Sequence, residues 1–97
     1  MSMYNNLASK VGKAVSIKMS GGTEVVGYLE SLDQDGNTIT MKHPHTVFVS
    51  DGELMIMKYM MTSDSEHFRL NYALIESVAS ANEEIQDSLK TVINQDK

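Results

Sequence analysis

Apolar residues alternate with polar ones in three short runs between Val15 and Met41. Val15, Ile17 and Met19 form the first run, Val25, Gly27 and Leu29 the second, and Ile39 and Met41 the third. A period of two puts every second side chain on one face of a strand. Three such runs so close together, divided by turn residues, read as a small antiparallel meander. Ser20-Gly21-Gly22-Thr23 supplies the first turn, with glycine where a positive φ is wanted. Asp33-Gln34-Asp35-Gly36-Asn37 supplies the second. Gly27 stands mid-strand, where glycine marks a sharp bend or a close backbone approach. The apolar phase slips after Leu29, since the next apolar residue is Leu32, and this predicts a bulge or a twist in a long, curved strand.

The remaining elements follow from similar signals. Tyr4, Leu7 and Val11 recur at helical spacing, so residues 2–12 read as a short amphipathic helix, capped by Ser2 and ended by Gly12. The third strand starts at Asn37 and meets Pro44, which cannot donate to a ladder and so belongs at a bulge, edge or bend. Asp51-Gly52 between apolar runs is a hairpin signal. The fourth strand, Leu54 to Met61, is apolar on both faces, which predicts burial on both sides: one face filling the sheet's interior, the other meeting a neighbour. Its methionines suit adaptable packing. After a polar loop over 62–67, a fifth strand runs from Phe68 to Val78 with a bend near Ala73. Residues 81–95 form a second helix, with Asn82 as cap, Glu83 and Glu84 at its positive end, and Ile85, Leu89, Val92 and Ile93 as its apolar stripe.

Composition narrows the function classes. The 97 residues make one domain, and a chain this short gains stability by associating. No cysteine is present, so there is no disulfide and no thiolate metal site, which fits a cytoplasmic location. No apolar run is long enough to cross a bilayer, and no basic region followed by an apolar core opens the chain, so neither membrane insertion nor a secretory leader is expected. Eight basic residues against 13 acidic ones give a net charge of −5. That balance opposes general nucleic-acid binding but leaves room for a local basic site repeated by assembly. Arg69 is the only arginine. His43 and His45 flank Pro44 without a carboxylate at matching spacing, so no metal site is expected. No phosphate-cradling loop, zinc-protease helix or nucleophile elbow occurs, so the chain reads as a binding protein rather than an enzyme, with no cofactor.

The joint spacing of Val15, Ile17, Gly22, Val25, Gly27, Leu29, Leu32, Asp33, Asn37, Ile39 and Met41 resembles the first motif of the Sm-like (LSm and Hfq) family. The resemblance covers roughly the first half of the chain. It implies a mostly β fold: a short N-terminal helix over 2–12, a strongly bent five-stranded antiparallel barrel over 14–78, and here an added C-terminal helix over 81–95. It also implies a homo-oligomeric ring of about six or seven copies, in which the fourth and fifth strands of adjacent copies pair edge to edge. In the family, the loop bearing the motif's Asp and Asn lines the pore and holds a uridine, with a flat side chain two residues after the Asp stacking on the base. Asp33 and Asn37 match those roles. The stacking slot holds Asp35, which forfeits ~1–3 kcal/mol per base and repels phosphate. The family's second motif, an Arg-Gly, aligns on Asn71 and Tyr72, with Arg69 two residues earlier; Tyr72 offers an alternative stacking surface or a core tyrosine. The resemblance therefore implies single-stranded RNA at the pore or rim with altered base preference, the candidates being Asp33, Asp35, Asn37, Arg69 and Tyr72, with Lys18 or Lys42 on phosphate. Asp33 and Asn37 also favour side chain to backbone turns without any ligand. The alternative is a structural or protein-interaction ring that uses the C-terminal helix or the acidic face.

Overall fold

The structure is a computed structural model that describes residues 3–33 and 36–95, the side chains of Met3 and Tyr4 excepted. The Ser2 cap, the packing of Tyr4 and the stacking slot at Asp35 therefore lie outside the described residues. The elements in order are α1 (Met3–Ala8), β1 (Ala14–Met19), β2 (Glu24–Leu32), β3 (Thr38–Ser50), β4 (Glu53–Lys58), β5 (His67–Asn71), β6 (Ile75–Ser80) and α2 (Glu83–Gln95), with a 3-10 turn over Tyr72–Leu74 between β5 and β6. The strands form one antiparallel sheet in the order β4-β3-β2-β1-β6, and β5 also pairs with β3.

The sheet curls because its two longest strands carry bulges. Leu29 faces Met41 but Ser31 faces Thr40, so β2 holds one extra residue at Glu30. This is the expected phase slip after Leu29. Val26 faces His45 and Tyr28 faces Lys42, so β3 is the longer strand opposite Gly27. His43 takes up the excess with φ 54. A Cβ on Gly27 would stand 3.1 Å from the carbonyl oxygens of Lys42 and His43 and from Pro44 Cα. Only glycine admits the two backbones that close. His45 is buried and its Nδ1–H donates to the His43 carbonyl at 2.8 Å, so both histidines hold the bulge.

Curling produces two apolar layers. The concave side encloses Val15, Ile17, Val25, Leu29, Ile39 and Met41, and Leu7 of α1 seals it. The convex side carries Ala14 and Val26, and α2 lies on it through Ile85 and Leu89. Asn82 caps α2 by accepting from the Ile85 amide at 2.8 Å, as its position predicts. The stripe of α2 thus covers its own sheet, and a protein partner docking through that stripe finds it occupied.

Three expectations need correction. Helix α1 ends at Ala8, so Val11 lies beyond it and is exposed. The Ser9 hydroxyl donates to the Asn6 carbonyl at 2.8 Å, and Gly12 must turn to donate its amide to Leu29 at 2.7 Å. The strand expected over 68–78 is two strands, because the Asn71 side chain accepts from the Ala73 amide at 2.9 Å and turns the chain. Finally, β4 ends at Lys58 and is not buried on both faces: Leu54, Met55 and Met57 are exposed. It pairs with the far half of β3, from His45 to Ser50, and there the concave core has ended; only Ile56 reaches the layer under α2.

Candidate nucleic-acid interface

The β3–β5 ladder brings together two stretches about thirty residues apart in sequence. Thr38 pairs with Asn71 and Thr40 with Arg69. The loop before β3 therefore sits beside the 3-10 turn after β5, and the Tyr72 amide donates to the Asn37 carbonyl at 2.7 Å. Asp33, Asn37, Arg69 and Tyr72 gather at this one end of the sheet.

Asp33 anchors the loop. Its amide donates to the Thr38 carbonyl at 3.1 Å, and its own carbonyl accepts from Gly36, whose φ of +75 suits glycine. Its carboxylate accepts from the Thr38 hydroxyl and, at 3.2 Å, from the Thr40 hydroxyl. Arg69 Nε stands 3.9 Å away. The Thr38 hydroxyl, ahead of Thr40 and Arg69, holds the Asp33 carboxyl below the usual carboxylate range. The carboxylate is thus largely engaged within the fold.

Arg69 is the opposite case. Its side chain is 72% exposed, and its link to Asp33 is long, so most guanidinium donors face solvent. Asn37 is exposed at the loop's end. Tyr72 is half-buried against the concave core, which leaves part of its ring outside. The arrangement offers one cation, an amide and a phenol, suited to binding a polar or anionic strand. Among the described residues, no group of three His, Cys, Asp or Glu converges in a way that could hold a metal ion. Lys42 is not brought to this end, whereas Lys18 lies near the end of β1, where Ser20 donates to the Leu74 carbonyl at 2.7 Å. Lys18 faces Glu24 and Ser77 across its neighbours, and Lys42 lines a hollow under α2 with Tyr28 and Lys90. Thr38 and Thr40 carry no motif in the sequence, and Asn71 enters there only as the position aligned with the second motif. A Thr-x-Thr on one strand face after an acidic turn is the signal that could have found the first two.

The curled sheet with its sealing helix has close counterparts among solved structures. The SmAP1 heptamer of P. aerophilum matches with a TM-score of 0.57 and 17% identity, over 84% of this chain and 96% of that one. The chain has the Sm-like fold. A heptameric archaeal Sm protein matches at a TM-score of 0.55 and 18% identity, over 80% of this chain and 98% of its own. A chain of the NatC complex bound to CoA matches at 0.50 and 12% identity, over 86% and 92%. No family model matches the sequence, and neither does any curated protein. Among the described residues, no helix is long and apolar enough to cross a membrane.

Proposed function

We propose that this Sm-like chain assembles into a ring of about six or seven copies and binds single-stranded RNA at the end of the sheet marked by Asp33, Asn37 and residues 69–74. The observation that carries the reading is the convergence of Asp33, Asn37, Arg69 and Tyr72 on one end of the sheet. Asp33 sets the loop, Asn37 reads a base edge, Arg69 takes phosphate, and Tyr72 lends an aromatic surface. Asp35 stands in the same loop and adds negative charge, which weakens the preference for a stacked uridine. Repetition around a ring multiplies the single arginine.

Ring closure uses the two outer edges. The edge strand β5 presents His67 and Arg69, and β6 presents Glu76 and Ser77, all exposed. Antiparallel pairing of β5 in one copy with β6 in the next sets Glu76 near Arg69 and satisfies both open ladders.

The engaged Asp33 carboxylate and the net charge of −5 favour a second reading, a protein-interaction ring with no nucleic acid. The NatC chain shows the fold inside a multi-protein assembly. Fluorescence polarisation with U-rich and A-rich oligoribonucleotides decides between them. The RNA reading expects salt-sensitive binding at micromolar protein, weakened about tenfold by Arg69→Ala. Absence of binding at low salt leaves the protein-interaction ring.

A further inference from the structure

Among the described residues, the β3–β4 hairpin is the one stretch where large apolar side chains stand exposed in succession on both faces of a ribbon. Val49 is 67% exposed and shares its face with Leu54; Phe48, Met55 and Met57 line the other face. Met61, at the foot of the hairpin, is 65% exposed. Contiguous apolar surface of this kind marks an interaction site in soluble proteins. Among the described residues, β4 pairs with β3 alone, so its outer ladder of amides and carbonyls is open.

We propose that this hairpin docks an extended, lysine- or arginine-rich apolar segment of another protein, which adds as a strand along the open edge of β4. Charge selects such a partner. Asp51 and Glu53 stand at the tip, and Asp64 stands at the foot beside Met60. Lys58 turns its ammonium toward the Ser63 carbonyl at 3.2 Å, and Lys42 lines the hollow at the foot together with Asp64 and Glu66, so the tip is the acidic end. Alternate apolar residues of an incoming strand meet Met55 and Met57, whose unbranched side chains adapt to varied shapes, while its basic residues meet the acidic rim.

A second copy is a poor occupant. Strand β6 has 6 residues, about 20 Å, and covers only one of β4 and β5. Its exposed Glu76 and Ser77 suit Arg69 and His67 on β5, not methionine. Tip-to-tip contact between hairpins places Asp51 and Glu53 against their own duplicates. The proposal needs a single chain and does not depend on RNA binding.

The test titrates the full chain, in its native assembly, with a fluorescein-labelled peptide Lys-Val-Lys-Ile-Lys-Val-Lys-Ile and with its glutamate counterpart. Hydrogen exchange is read at residues 54–58, and mass photometry of the same samples reports ring mass separately. The expected result is binding of the basic peptide at least about tenfold tighter than the acidic one, with new protection at 54–58. Leu54→Lys with Met57→Lys abolishes it. Asp51→Asn with Glu53→Gln, which keeps the turn and spares the packing, weakens it at least about threefold. Glu83→Lys with Glu84→Lys on α2 leaves it unchanged. Outward-facing amides of 54–58, those that do not bond β3, show a second copy on the edge if they are already protected without peptide, and this overturns the proposal. Equal binding of both peptides, or equal losses from the α2 variant, reduce it to bulk charge attraction and overturn it as well.

Discussion

Single residues decide the curvature. Gly27 is irreplaceable where β2 and β3 touch, since all three atoms near its missing Cβ belong to backbone. Gly27→Ala is expected to cost about 1–3 kcal/mol and to lower the melting temperature several degrees per kcal/mol in a thermal scan. His43 works on the other side of the same contact. Burial pushes its imidazole below the ordinary value, with the Glu66 carboxylate partly opposing and Lys42 adding to the fall. A depressed basic group makes the unfolded chain bind protons more readily. Stability is therefore unaffected above about pH 6.5 and declines as pH falls below it. Replacing His43 by Asn, which tolerates positive φ, should flatten that decline in urea titrations across acid pH. Asp33 moves the same way for the opposite reason: its lowered carboxyl stabilises the fold above the ordinary carboxylate range, and the gain is lost as pH drops through the folded value. Its signal lies at more acid pH, and Asp33→Asn separates the two.

At the scale of elements, the turns are local and the strand endings are not. Asp51 and Gly52 have φ of 51 and 79, both positive, in a two-residue loop joining Ser50 to Glu53. That is the primed turn which Asp-Gly announces. Gly52→Val should cost about 1–2 kcal/mol, measurable by denaturant midpoint. Helix α2 is held by burial: Leu89 is fully enclosed against Ala14 and Val26. Leu89→Ala should cost about 2–5 kcal/mol and raise hydrogen exchange along 83–95. The ends of α1, β4 and β5 were misjudged from sequence. The first two are set by partners distant in the chain, Leu29 for Gly12 and the limit of the core for β4, while β5 ends on the local Asn71–Ala73 cap with Asn37 holding Tyr72 from across the sheet. Apolar residues in β4 predicted burial, but what β3 carries them away from is visible only once the sheet is curled.

For the whole molecule, the open edges of β4, β5 and β6 make assembly the expected state, since unpaired ladders invite pairing. Light scattering should give a mass of about six or seven chains, stable to dilution. Glu76→Lys, set against Arg69 and His67, should shift that mass toward the 10.8 kDa chain. The meander, the glycine contact, an irregularity after Leu29, the hairpin turn and both helices are legible along the chain, because period, turn chemistry and capping act over a few residues. The sequence also marked Asp33 and Asn37 through their spacing from the glycines. Only the tertiary structure decided that Arg69 and Tyr72 lie beside that loop, that Asp33 is held by two threonines, that α2 closes on its own sheet, and that the methionine strand stands bare. Those outcomes depend on which halves of a bent β3 meet β4 and β5, and such pairing between distant residues leaves no period in the chain.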